Sequence, residues 1–287
     1  MKKVSHLLEY LLLKASLSFL QNVSRETAFK VGDVLSNLAY NVPRIKKVTE
    51  TNLKFTGYPA SIGIKSLQNF VRCSIDFFRS QKYSFEELSS LVEECPLEKI
   101  PPGGGILLTA HIGNWELMGA YFSVKSGGKL SVIAKPMKNK KVDALINSIR
   151  QKWGTKVIPT GNVIEMVKDL KRGRYVGILL DQRPKVKEGV LTEFLGRKTY
   201  TNKGAAILSI KTGKPVIPAF CFVTDKNRYR IEIGSPIYPE NKSVEELTVL
   251  YTKEIEKAVK KHPEQWFWFH NRWKNSPEFK EFLKTPP

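Results

Sequence analysis

At 287 residues and 41% hydrophobic content the chain can bury a substantial core, which excludes disordered and fibrous classes. The 47 Lys and Arg against 27 Asp and Glu give a net charge of +20, which implies an anionic partner: nucleic acid, an anionic bilayer, or an acidic carrier or substrate. Cys73, Cys95 and Cys221 are isolated and odd in number, which argues against a disulfide framework or cysteine metal site, and there is no zinc-finger spacing or glycine-aromatic nucleic-acid signature.

Residues 1–20 start with Lys2 and Lys3 and continue as an apolar run interrupted by Glu9 and Lys14. The run is too polar for a membrane span and carries no small-residue cleavage site. An apolar helix lying at a membrane surface is expected, with a core helix of a helical annex as the plainer reading. Residues 24–40 read as a second helix capped by Ser24. Val42-Pro43 breaks the pattern, residues 44–55 form a basic helical stretch, and Gly57-Tyr58-Pro59 ends it. Ile64, Leu67, Val71, Ile75 and Phe78 recur at helical spacing over residues 61–79. The first 80 residues are therefore expected to be a helical region packed on a core spanning 81–287. Residues 92–100 read as an edge strand or a linker.

From there the pattern alternates. Strands are predicted over 106–109, 130–134, 156–158 and 175–180. Helices are predicted over 111–125 (after a turn), 141–153, 161–171 and 201–212. Two further strands, 216–224 and 229–233, flank Asp225-Lys226-Asn227 as a hairpin. A long helix over 244–260 precedes an aromatic cluster at 262–270. For Trp266, Phe267 and Trp268 a packed C-terminal anchor is expected, the alternative being a contribution to an apolar groove or interfacial belt. The fold class expected is α/β, a mixed sheet flanked by helices with a helical N-terminal region.

The stretch Thr109-Ala110-His111-Ile112-Gly113-Asn114-Trp115-Glu116 places a histidine where a strand gives way to a helix, the edge at which open α/β sheets bind ligands. Glu116 lies five residues beyond His111. If the helix begins just after the histidine, that carboxylate can return to the imidazole, hold one tautomer and leave the other nitrogen as a base. Asn114 adds polarity beside it, and Asp181-Gln182-Arg183 follows another buried-looking strand. No Gly-x-Ser-x-Gly elbow and no phosphate-binding glycine loop accompanies these residues. The simple chemistry left is direct transfer, in which a substrate hydroxyl loses its proton to His111 and attacks an activated acyl group.

These motifs resemble the bacterial lipid A biosynthesis lauroyl/myristoyl acyltransferase family, within the lysophospholipid acyltransferase superfamily. The superfamily motif is a histidine and an acidic residue separated by four positions, here His111 and Glu116. Lys135-Pro136-Met137-Lys138-Asn139, Arg150 before Gly154, Asp181-Gln182-Arg183, the 189–196 segment, 199–204, 213–218 and 262–268 recur in the family's order. The resemblance covers nearly the whole chain. It implies a glycerolipid-acyltransferase-like fold and a membrane-associated O-acyltransferase of lipid A and lipopolysaccharide biosynthesis on the cytoplasmic face of the bacterial inner membrane. The donor implied is acyl-acyl carrier protein, with acyl-coenzyme A as the alternative. The acceptor implied is a lipid A precursor, or else another membrane glycolipid or lysophospholipid; relatives use phosphatidylinositol mannosides. No cofactor or metal is implied. His111 would be the general base, Glu116 would orient and polarise it, Arg150 would contact phosphate or the acidic donor, and Asp181 would brace the site. Asn114, Gln182 and Arg183 would support the site or bind substrate.

Two departures bear on the acceptor. Arg183 stands where several members have a second acidic residue, and the first helix is less cleanly transmembrane than in many members. The basic charge fits an acidic carrier, a phosphorylated glycolipid acceptor and an anionic membrane; nucleic acid is not expected. A non-catalytic basic module binding nucleic acid or membranes is the remaining reading of a different class. Acyl length depends on groove depth, which spacing does not encode.

Overall fold

The computed structural model describes residues 2–284, with side chains from residue 5 onward, so the Lys2 and Lys3 side chains lie outside the described residues. Four helices come first: α1 (Lys2–Asn22), α2 (Arg25–Tyr40), α3 (Pro43–Thr56) and α4 (Ser61–Arg79). Ser24 caps α2 by accepting a hydrogen bond from Thr27 N. Pro43 occupies the first turn of α3, where its missing N–H costs nothing, so the Val42-Pro43 break is a helix start. Gly57, at φ 79°, closes that helix in the left-handed conformation. No described helix is long and apolar enough to cross a membrane.

The remaining elements alternate. They run α5 (Phe85–Ser90), β1 (Val92–Glu94), β2 (Gly105–Thr109), α6 (Trp115–Lys125), β3 (Leu130–Ala134), α7 (Lys140–Lys152), β4 (Lys156–Pro159), α8 (Val163–Lys171) and β5 (Tyr175–Leu179). Then come β6 (Gly189–Phe194), β7 (Arg197–Asn202), α9 (Gly204–Thr212), β8 (Val216–Val223), β9 (Tyr229–Ile233), α10 (Val244–Lys261) and α11 (Pro277–Phe282). Seven strands form one sheet in the order β1-β9-β8-β2-β5-β3-β4, and β6 pairs with β7 in a separate hairpin. Only the β8–β9 pair in the large sheet is antiparallel. The result is a mixed sheet flanked by helices, with a helical N-terminal region.

Residue alternation along the strands gives the sheet two apolar faces. Ile106, Leu108 and Val176 face one core with Met166 and Leu170 of α8 and Ala205 and Leu208 of α9. Leu107 and Leu130 face the other core with Leu117, Met118 and Phe122 of α6. The strands read as near-continuous apolar runs because both faces are covered.

Two parts of the chain differ from the sequence expectation. Residues 201–202 end a strand, and the helix begins at Gly204. The 189–202 segment, quoted only as a motif, is an antiparallel hairpin whose turn, Leu195-Gly196, has φ of 53° and 70°. Two positive φ values are what a two-residue hairpin turn needs, but leucine is an uncommon residue there, which hid the hairpin. Residues 92–94 are an edge strand parallel to β9 and 97–99 a single 3-10 turn, so both readings of 92–100 hold in part.

The N-terminal helices are joined to the C-terminal aromatic segment by polar bonds. Asn52 of α3 donates to the carbonyls of Trp268 and His270, both at 2.8 Å. The Ser66 hydroxyl of α4 donates to the carbonyl of Trp266. Trp266, Trp268 and Trp273 are buried in the core, whereas the half-buried Phe267 lines a cavity, so both readings of the aromatic segment hold in part.

Candidate active site

β2 and β5 are adjacent and parallel, with Thr109 opposite Leu179, and Leu180 N donates to Thr109 O at 3.2 Å. Two residues further along each strand stand His111 and Asp181. Parallel pairing in step therefore brings them together at the carboxyl edge of the sheet. His111 Nδ1 lies 2.9 Å from Asp181 Oδ1. The other carboxylate oxygen accepts a hydrogen bond from the indole Nε1 of Trp266, also at 2.9 Å. Asp181 is 1% exposed. Burial alone pushes its carboxyl up, but the charge and hydrogen bond of His111, with the Trp266 indole, bring it below the usual range. An ionised Asp181 accepts a hydrogen bond from Nδ1–H, which leaves Nε2 as the basic nitrogen. Gln182 Nε2 is 3.4 Å from that nitrogen.

The loop carrying His111 is held from both sides. Its carbonyl accepts from Phe267 N at 3.0 Å, Gly113 N donates to Gln265 O at 3.0 Å, and Asn114 N donates to Cys221 O at 3.1 Å. Gly113 has φ 52°, and a Cβ there would sit 1.8 Å from Cys221 O, so only glycine fits. The rings of Trp115 and Phe267 pack against the imidazole with centroids 4.9 and 5.7 Å away.

Glu116 does not meet His111, contrary to the sequence expectation. It lies in the first turn of α6 and takes two hydrogen bonds from Arg150 of α7, at 3.0 Å from Nε and 2.5 Å from Nη2. The cause is that the helix starts at Trp115, so Glu116 projects toward α7 while His111 remains in line with β2. Burial pulls the Arg150 guanidinium down, but the bond and charge of Glu116 outweigh it and hold the pKa above its ordinary value. Its guanidinium is thus paired with Glu116 and also donates from Nη1 to Asn147 Oδ1 at 3.0 Å.

The other expected residues fall in different places. Asn114 is buried and caps α6 by accepting from Leu117 N at 3.0 Å. Arg183 turns away to Asn275 Oδ1 at 2.9 Å. Gln182 is beside the imidazole. Two residues carried no signal in the sequence: Trp266, which bonds Asp181, and Thr109, which lines the cavity and whose buried hydroxyl has no hydrogen-bond partner.

His111, Glu116, Arg150 and Gln182 line a cavity of about 1030 Å³. Other polar residues, among them Lys135, Asp143, Lys187 and Lys203, also line it, but most of its wall is apolar, including Leu107, Met118, Phe122, Leu130 and Leu180. Drug-sized ligand sites occupy roughly 300–1,000 Å³, so this cavity is large and suits hydrocarbon. No group of acidic, histidine or cysteine side chains among the described residues is arranged to hold a metal ion.

The sequence model of the bacterial lipid A biosynthesis acyltransferases matches residues 34–275. Phosphatidylinositol mannoside acyltransferase of Mycobacterium tuberculosis is 23% identical over 178 residues, covering 59% of this chain and 54% of the relative. Its namesake from Mycolicibacterium smegmatis is 24% identical over 178 residues, covering 59% and 57%. The chain spans about half the length of the curated relatives it matches. The crystal structure of the 1-acyl-sn-glycerophosphate acyltransferase PlsC from Thermotoga maritima aligns with a TM-score of 0.44 at 16% identity, over 85% of this chain and 100% of that chain. The family and these relatives are acyltransferases. The matched span holds His111, Glu116, Arg150, Asp181 and Trp266, and the chain belongs to the bacterial lipid A biosynthesis acyltransferase family.

Proposed function

We propose that the protein transfers a fatty acyl chain from a thioester donor to a hydroxyl of a membrane glycolipid, with His111 as the general base and Asp181 as the carboxylate that positions it. The observation that carries this is the hydrogen bond from the half-buried His111 to the buried Asp181 at a largely apolar cavity. His111 Nε2 takes the hydroxyl proton. The hydroxyl oxygen forms a bond to the thioester carbonyl carbon, and the C–S bond breaks. The imidazolium then returns its proton to the departing thiolate. Asp181 stabilises the charged imidazolium without taking its proton.

The acceptor is a phosphorylated glycolipid. The family name supports a lipid A precursor, and the matched mycobacterial relatives, named for phosphatidylinositol mannoside, support the second reading, a different glycolipid. Acyl-acyl carrier protein is the favoured donor because an acidic carrier is drawn to a chain of charge +20; acyl-coenzyme A is the alternative. The protein works on the cytoplasmic face of the inner membrane. Leu7, Leu8, Leu11, Leu12 and Phe19 of α1 and Val34, Leu35 and Leu38 of α2 are exposed. Apolar surface of that kind suits an interfacial helix better than water. α1 is tied to the rim of the cavity: Asn139 donates to His6 O and Glu9 Oε2, each at 2.8 Å, and the nearby Met137 lines the cavity.

The test is a panel of labelled acyl-carrier-protein and coenzyme A thioesters against lipid A precursor, phosphatidylinositol mannoside and lysophospholipid, read by mass spectrometry. Transfer to a glycolipid that His111→Ala abolishes is expected. Full transfer by His111→Ala, or transfer to lysophospholipid alone, contradicts the proposal.

A further inference from the structure

The cavity straddles the sheet. Leu107, Met118, Phe122, Leu130, Trp153 and Ile231 line it on the α6 face, and all belong to the core on that side. Met166, Leu180, Ala205 and Leu208 line it on the opposite face, within the other core. His111 stands at the strand end between these two limbs.

The α6-face limb contains two glycines without a backbone reason to be glycine. Gly119 is in the middle of α6 and Gly177 in the middle of β5, and neither has a positive φ. Glycine weakens both kinds of element. Other glycines in the fold are explained by close approach: a Cβ at Gly104 would meet Arg174 O at 2.5 Å, and one at Gly105 would meet Ile217 Cδ1 at 2.7 Å. A Cβ at Gly119 would meet only Leu130 Cδ2, at 3.7 Å. A Cβ at Gly177 would meet Val132 Cγ1 at 3.4 Å, and Leu130 Cδ1 and the Ser131 carbonyl oxygen at 3.7 Å, all at ordinary van der Waals range. Both side chains would fit the protein, and both positions line the cavity. What the missing side chains preserve is open space on either side of Leu130.

We propose that Gly119 and Gly177 are specificity-determining residues that hold open an acyl-chain bore on the α6 face and set the length of linear saturated chain it admits. The limb on the α8–α9 face is then left for the hydrocarbon of the lipid acceptor. This assignment rests on the acyl-transfer reading, but a binding measurement tests it without turnover.

The experiment uses the full chain, with Gly119→Ala and Gly177→Ala made separately. Binding of a series of saturated fatty acids of increasing length is followed by calorimetry, melting temperature is recorded for each protein, and acyl transfer is assayed in parallel. Each variant is expected to melt at or above the wild-type temperature. Each should lose ~10-fold or more in affinity for the longest chains while keeping the short ones, since a methyl group in an apolar pocket discriminates by roughly that factor. Leu130→Ala should shift the preference toward longer chains. If one glycine variant fails to fold, the other and Leu130→Ala still decide. Equal affinity of wild type and variants for every chain overturns the proposal, as does uniform loss for short and long chains or no binding by the wild type. Length-dependent binding that the glycine variants alter, with no transfer by the wild type, supports the bore and contradicts acyl transfer.

Discussion

His111 and Asp181 are joined by a 2.9 Å hydrogen bond although 70 residues separate them in sequence. The link follows from strand pairing, because each residue stands two positions beyond the paired Thr109 and Leu179 on adjacent parallel strands. The geometry is that of a base with its orienting carboxylate, and it leaves Glu116 for a different task.

Trp266 holds the far oxygen of Asp181. Trp266→Phe keeps most of the packing and removes that donor. A hydrogen bond to a charged group is worth about 1.5–3 kcal/mol. Thermal and denaturant unfolding should show a loss of that order, with kcat down ~10-fold or more as the carboxylate loosens. Unchanged kcat would show that the indole does not position Asp181.

Glu116→Gln leaves Arg150 without a carboxylate in a largely buried position. We expect a loss of about 1–3 kcal/mol in stability, since half of a buried ion pair is uncompensated. Acyl transfer should persist at a level well above that of His111→Ala. Denaturant unfolding and single-turnover transfer check the two parts.

His270 supplies a pH dependence. Burial is the largest cause lowering its pKa to about 4, with Arg272, Arg183 and His111 adding repulsion and Asp181 opposing them. Its Nδ1 is buried without a partner. The unfolded chain takes up this proton below about 6.5, whereas the folded chain resists it down to about 4. The unfolded state therefore binds more protons in this window. Stability falls as pH drops through it, by at most about 3 kcal/mol from this residue. Denaturant unfolding across the window should show a shallower slope for His270→Gln than for wild type.

Leu8 and Leu12 of α1 are 58% and 60% exposed. Replacing both with Asp should leave folding intact and reduce sedimentation with anionic phosphatidylglycerol vesicles by ~10-fold or more, because buried hydrocarbon and surface charge act together in interfacial binding. Equal sedimentation would remove α1 as a membrane contact.

Much of the fold was legible in the sequence because the chemistry was local. Apolar runs such as Ile106-Leu107-Leu108 and the helical spacing of Ile64 through Phe78 report their own periodicity. His111 was legible because it ends such a run. Its partner was not, since the choice between Glu116 and Asp181 depends on which strand neighbours β2, and the intervening β3 and β4 lie farther out in the sheet. The 189–202 hairpin was hidden by Leu195 at a positive φ, and the contribution of Trp266 by its place in an aromatic run that packs as core. Gly119 and Gly177 carry a signal only once the space beside them is visible.

The most direct test of the central claim is the single-turnover rate of acyl transfer by Asp181→Asn beside Glu116→Gln, with a glycolipid acceptor that the wild type uses. Asp181→Asn should fall by about 10³–10⁴-fold, as expected when a general-base histidine loses its orienting carboxylate, and Glu116→Gln should fall far less. An Asp181→Asn rate near wild type, with Glu116→Gln inactive but folded, would contradict the account.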